Sequence, residues 1–220
     1  MNLLVGLLKL KEDLRCAGAD AVGFGDVSHA VAGEISHLVR VICVGLNRNL
    51  NERTLAALNR LQKKAAGILK AEGYRYLCIP PDSDRVQDKF ISKLYPLLCH
   101  KTAATCSGLG WIGKSGLVVN PEFGPKMSWA TILTDAPLET DEPTTEGLCG
   151  ECDLCVKYCP SGALTGASWS RSDPFGNLID LNKCRSHKNN RVRSAQKPNC
   201  GLCITICPYG RKKNALQEIG

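Results

Sequence analysis

The sequence predicts an α+β fold in two parts: an α+β domain over residues 1–138 and a smaller, cysteine-organised domain over 139–220. Three observations carry this. Helical and extended hydrophobic patterns alternate through the first part. Eight of the 13 cysteines crowd into residues 149–207. Between the two lies a stretch of linker composition, Pro137-Leu-Glu-Thr-Asp-Glu-Pro-Thr-Thr-Glu-Gly147. With 220 residues, 44% hydrophobic and 22% charged, the chain can bury a real core, which excludes a disordered or fibrous protein. No apolar run approaches the ~18 residues of a membrane span. Residues 1–8 lack the basic start and small-residue cleavage site of a signal peptide. The expectation is a cytoplasmic protein with no membrane partner, whose thiols stay reduced. So many cysteines there point to metal, cluster or redox chemistry.

The elements follow in order. Leu3, Leu4, Leu7, Leu8 and Leu14 sit at helical spacing and predict a first helix to about Cys16. Residues 39–46 (VRVICVGL) are short and β-branched, the pattern of a buried strand. Residues 51–72 predict a helix with Leu55, Leu58, Leu61, Ala65, Ile68 and Leu69 on one face and Gly73 as its stop. Residues 74–79 read as a strand ended by Pro80-Pro81, and 85–105 as mostly helical despite Pro96. Residues 116–119 and 128–134 read as strands, joined through the turn signals Asn120-Pro121 and Gly124-Pro125. The rest is loops, cysteines, glycines and prolines. Such a segment builds no core of its own and needs something bound to organise it.

Cys149-x2-Cys152-x2-Cys155-x3-Cys159-Pro160 is the bacterial ferredoxin run, in which three thiolates wrap one [4Fe–4S] cubane and the fourth ligates the other cluster. A second run, Cys200-x2-Cys203-x3-Cys207-Pro208, lacks its first cysteine, and Cys184 supplies the missing ligand. Reciprocal sharing gives cluster one as Cys149, Cys152, Cys155 and Cys207, and cluster two as Cys159, Cys184, Cys200 and Cys203. Two structural zinc sites are the alternative, but zinc knuckles pair CxxC with CxxC and do not use this spacing. Cys16, Cys43, Cys78, Cys99 and Cys106 read as ordinary free thiols, mostly buried. Cys99 and Cys106 flank a stretch of interest and keep a redox or substrate contact as their second reading.

That stretch, Gly108-Leu-Gly-Trp-Ile-Gly-Lys-Ser115, matches both G-x-G-x-x-G and G-x4-G-K-S. Both phosphate loops need a strand before and a helix after. Here the order is inverted, so nucleotide binding is rejected. Three glycines still make a tight backbone path that something can approach, with Trp111 offering a flat apolar face and Lys114 a cation. The plain alternative is a structural turn with a core tryptophan.

These motifs occur in a telling order. The glycine stretch precedes Pro121-Glu-Phe-Gly-Pro125, Thr131-Ile-Leu-Thr-Asp-Ala-Pro137, the first cysteine run, Asp180-Leu-Asn-Lys-Cys184 and the second run. From about residue 21 to 209 the chain is similar to the epoxyqueuosine reductase family, itself related to cobalamin-dependent reductive dehalogenases, and it most resembles the short members. The resemblance implies a nitroreductase-like N-terminal domain that holds cobalamin and a two-cluster ferredoxin-like domain that feeds electrons to the cobalt. The cofactor would lie between the domains near Gly110, Trp111 and Lys114. In long members Co(I) helps deoxygenate an epoxide on a tRNA wobble base, so tRNA is an implied partner. Those members also carry helical repeats after the clusters and an Asp, their proton donor, upstream of the motif tryptophan. Here residues after Cys207 are few, and no Asp occurs between Asp88 and Trp111. His100, which titrates near neutrality, and Tyr95 are the stand-in candidates for catalysis. His29 and His37 are weaker, and His187 lies in a basic run.

The formal charge is +7, yet residues 183–213 alone hold nine basic and no acidic side chains. Three uses suggest themselves, in this order: compensation of cluster charge in a solvated loop, docking of an acidic donor such as flavodoxin or ferredoxin, and RNA binding. Two clusters at about −2 each bring the working protein to about +3. The reading as a whole is an iron–sulfur oxidoreductase passing electrons through two [4Fe–4S] clusters to cobalamin or a substrate. Its alternative is a non-catalytic ferredoxin-type relay serving a partner enzyme.

Overall fold

The computed structural model describes residues 5–81, 97–172, 177–193 and 200–210. The chain divides into two compact units, one of residues 1–109 with 127–144 and the other of 110–126 with 145–220. A single cut at 138/139 therefore does not describe it, for two reasons. Residues 110–126 join the cysteines, and residues 137–144, despite their linker composition, are laid onto the first unit. There Asp141 exchanges backbone hydrogen bonds with Phe24: its N–H donates to the Phe24 carbonyl (2.8 Å) and its carboxylate accepts from the Phe24 N–H (2.8 Å). Asp141 also pairs with Lys11, and the Thr144 N–H donates to the Thr105 carbonyl.

The first unit holds a four-stranded antiparallel sheet of order β1-β2-β6-β3. Its strands are β1 (Ala21–Asp26), β2 (Arg40–Leu46), β3 (Tyr76–Ile79) and β6 (Ser128–Thr134). Strand alternation gives the sheet two faces. On one, the row Phe24, Ile42, Ile132 and Cys78 packs beneath α1 (Val5–Cys16) and α2 (Glu52–Ala71). Leu58, Leu61, Ala65 and Leu69 recur at helical spacing, so α2 buries one stripe. The Asn51 side chain caps α2 by accepting from the Thr54 N–H (2.9 Å). The buried Gln62 amide donates to the carbonyls of Ile79 and Thr131 (2.8 and 2.9 Å), tying α2 to two strands.

On the other face the row is Gly23, Cys43, Thr131 and Ile79, and here α3 (His100–Cys106) lies. Gly23 and Gly25 make the approach possible. A Cβ on Gly25 would fall 2.6 Å from the Cys106 carbonyl oxygen, and one on Gly23 would strike the Ser107 carbonyl.

The second unit has little apolar interior. Its regular pieces are a hairpin of β4 (Trp111–Ile112) and β5 (Val118–Val119), the one-turn helices α4 (Leu154–Lys157) and α6 (Leu202–Thr205), and α5 (Leu181–Arg193). Helix α5 falls in a segment read from the sequence as loop; it is polar nearly all round, which hides it from any periodicity test. Among the described residues no helix is long and apolar enough to cross a membrane.

Candidate metal centre

Each cysteine run folds as loop, one-turn helix, loop. Helix α4 sits between Cys152 and Cys159, and α6 between Cys200 and Cys207. Neither helix buries a residue, so apolar packing does not fix them. Cys184 arrives on α5. Asp180 starts that helix by accepting from the N–H groups of Asn182 and Lys183 (3.0 Å each). Asp180 is a residue whose role the spacing argument missed, although an Asp just ahead of a helix is a capping signal.

The thiols fall into two neighbourhoods. Cys149, Cys152, Cys155, Cys203 and Cys207 line one pocket. Burial, and then the charges of Cys149, Cys203, Cys207 and Cys152, push the Cys155 thiol up to about 11. Burial raises Cys203 as well, followed by the charges of Cys200 and Cys184. Cys159 shows the opposite balance. Burial opposes its ionisation, but the Ser161 hydroxyl at 3.4 Å and the backbone of Ser161, Ala163 and Leu164 draw it below the usual thiol value. Hydrogen-bond donors converging on a thiolate are what a cluster ligand requires. Among the described residues no three His, Cys, Asp or Glu side chains converge tightly enough for a single metal ion.

The glycine stretch explains the unit's composition. Helix α3 precedes it and a strand follows, the inverse of a phosphate loop. Gly110 has φ 149°, and a Cβ there would collide with the Val119 carbonyl. Its glycine serves the close approach of β5, not an open cofactor face. Gly113 lies where a Cβ would be 2.8 Å from the Val119 side chain and 3.3 Å from the Cys149 sulfur. Lys114 donates from Nζ to the Gly150 carbonyl at 2.8 Å and lines the pocket of thiols. Trp111 is 3% exposed and meets Tyr209 edge-on at 4.8 Å between ring centroids. Among the described residues its buried indole N–H meets no partner, which leaves a donor for a bound group.

The catalytic candidates fare differently. His100 lies in the first unit, 8% exposed. Its Nε2 donates to the Pro80 carbonyl (2.9 Å), and Nδ1 meets the Thr131 hydroxyl (2.7 Å). Both ring nitrogens are engaged in joining α3 to the sheet, the arrangement of a fold-bearing histidine. Tyr95 lies outside the described residues, as do Lys197, Arg211, Lys212 and Lys213 of the basic segment. Lys183, Arg185 and Lys188 stand exposed on α5. Cys43 is fully buried, and burial drives its thiol far up; Cys106, 1% exposed, has its sulfur 4.0 Å from His29 Nε2.

Comparison with known proteins agrees with this picture. Residues 148–210 match the family model of the 4Fe-4S double cluster binding domain. The chain is 33% identical over 108 residues to the epoxyqueuosine reductase of Listeria monocytogenes, covering 48% of this chain and 28% of that protein. It is 32% identical over 134 residues to the one of Escherichia coli, covering 56% and 32%. The matched segment thus spans about a third of these relatives' length. The fold is shared more widely. An epoxyqueuosine reductase crystallised with a modified tRNA stem loop superposes on 96% of this chain and 66% of its own, with a TM-score of 0.66 at 18% identity. A reductive dehalogenase studied for B12-dependent dehalogenation gives a TM-score of 0.60 at 17% identity, over 94% and 33%.

Proposed function

We propose that this iron–sulfur protein, which resembles the epoxyqueuosine reductases and carries two [4Fe–4S] clusters, is an oxidoreductase that passes single electrons from a soluble donor through both clusters to cobalamin. In this reading Cys149, Cys152, Cys155 and Cys207 hold cluster one, and Cys159, Cys184, Cys200 and Cys203 hold cluster two. The observation that carries it is the pair of thiol neighbourhoods, with the β4–β5 hairpin against the first. Cobalamin, when bound, supplies a strongly nucleophilic reduced cobalt. The buried indole N–H of Trp111, without a partner among the described residues, is a donor this chain offers it. The first unit would be a nitroreductase-type holder of the cofactor. The exposed lysines and arginine of α5, next to Cys184, suit an acidic flavodoxin or ferredoxin as donor in the reducing cytoplasm. Transfer RNA is the substrate class suggested by the relatives; its binding would weaken steeply with salt.

Anaerobic reconstitution tests this reading. About eight irons and as many sulfides per chain are expected, with a change in the visible spectrum on adding cobalamin. Stoichiometric zinc without sulfide overturns the clusters. Eight irons with no response to cobalamin overturns the cobalamin step and leaves the relay reading.

A further inference from the structure

We infer that Lys114 sets the potential of cluster one above that of cluster two and so makes cluster one the terminus of electron flow within the protein. This rests on the two-cluster assignment above, and not on cobalamin or a substrate. The ammonium of Lys114 is fixed by the carbonyl of Gly150, the residue that follows the cluster ligand Cys149. It lines the pocket formed by the four cluster-one thiols together with Cys203, and a Cβ on its neighbour Gly113 would lie 3.3 Å from the Cys149 sulfur. Among the described residues the other non-cysteine side chains lining it are Ser115, Val119, Pro208 and Tyr209, with no carboxylate.

The electrostatics follow from placement. A [4Fe–4S] cluster with four thiolates goes from about −2 to about −3 on reduction. A fixed, half-buried cation favours the more negative state and raises the potential. The cations of α5 that flank Cys184 are exposed, and Lys183 is partly paired with Asp180 at 3.7 Å. Solvent and salt screen them. Cluster two therefore gains less. The transfer is simple in its balance: one electron leaves reduced cluster two, one arrives at oxidised cluster one, and no bond or proton moves. An external one-electron donor restores cluster two.

The experiment is an EPR-monitored redox titration with dithionite on reconstituted protein, comparing the unaltered chain with Lys114→Gln, Lys114→Met and Lys114→Arg. All four are expected to hold about eight irons. In the two neutral variants one cluster should become harder to reduce by at least about threefold, which is about 28 mV at 59 mV per decade. The other cluster should keep its potential, and Lys114→Arg should keep both. Unchanged potentials, equal shifts in both clusters, or an Arg variant that behaves like Gln would each overturn the inference. So would neutral variants that fail to take up iron, since Lys114 would then serve assembly. Fewer than about eight irons in the unaltered chain would overturn the two-cluster reading and this inference with it.

Discussion

Cys43 and Cys155 carry the same thiol in opposite settings. Cys43 sits wholly buried in an inner strand of the four-stranded sheet. Cys155 sits on a one-turn helix that buries nothing, surrounded by other thiols. The first unit is held by hydrocarbon burial and regular hydrogen bonding. The second has Trp111, Ile112, Val118, Val119, Ala163, Trp169 and Leu178 as its buried apolar side chains among the described residues. The difference teaches that a similar density of backbone turns can be fixed by packing or by ligation, and that the two respond to different insults.

Ligation is the easiest to break. Cys155→Ser should cost about four of roughly eight irons and open residues 148–210 to limited proteolysis, while the first unit stays resistant. Uniform resistance in the iron-poor variant would show that packing, not ligation, fixes the second unit. A core cavity should do the reverse. Ile132 is fully buried between Ile42 and Cys78 in the sheet, and Ile132→Ala should destabilise the first unit by about 2–5 kcal/mol in denaturant while iron content holds. The smallest effect is a pH dependence. Burial pushes the Cys78 thiol up to about 11 from its ordinary value near 9. Its folded form thus keeps its proton where the unfolded form loses it. The associated stability is complete below pH 9 and fades as pH rises through 11. Cys78→Ser should flatten part of that decline in stability measured between pH 8 and 11, and an unchanged slope would contradict it.

Much of the first unit was legible because its elements bury one stripe or one face: α2, β2 and β6 match their predicted spans closely. Strand β1 was not. Gly23 and Gly25 occupy the face where α3 packs, and two glycines in six residues erase the strand pattern. The cysteine runs announced the clusters through spacing alone. What they did not announce was α5, which lacks apolar periodicity, or that the hairpin of Trp111 would join the cysteines. The strand read at 116–119 is present as β5, but its two-residue partner β4 leaves too little pattern to read. Trp111 and Lys114, singled out in the sequence, both lie in the second unit, and a Cβ on Gly110 would meet the Val119 carbonyl. For His100, an acid–base side chain was visible in the sequence, but its two hydrogen-bond partners, a proline carbonyl and a strand threonine, are far away along the chain.

The hairpin of residues 110–126 interrupts the first unit in sequence while belonging to the second in space. On the ribosome it emerges before β6 has closed the sheet and well before Cys149 is made. The residues it belongs with, 145–220, all follow β6 along the chain. A fragment beginning after the sheet would carry every cysteine ligand and still lack Gly113 and Lys114. Subcloning the iron–sulfur part alone should start upstream of the hairpin, with β6 bridged by a short linker, if it is to reproduce the surroundings of cluster one.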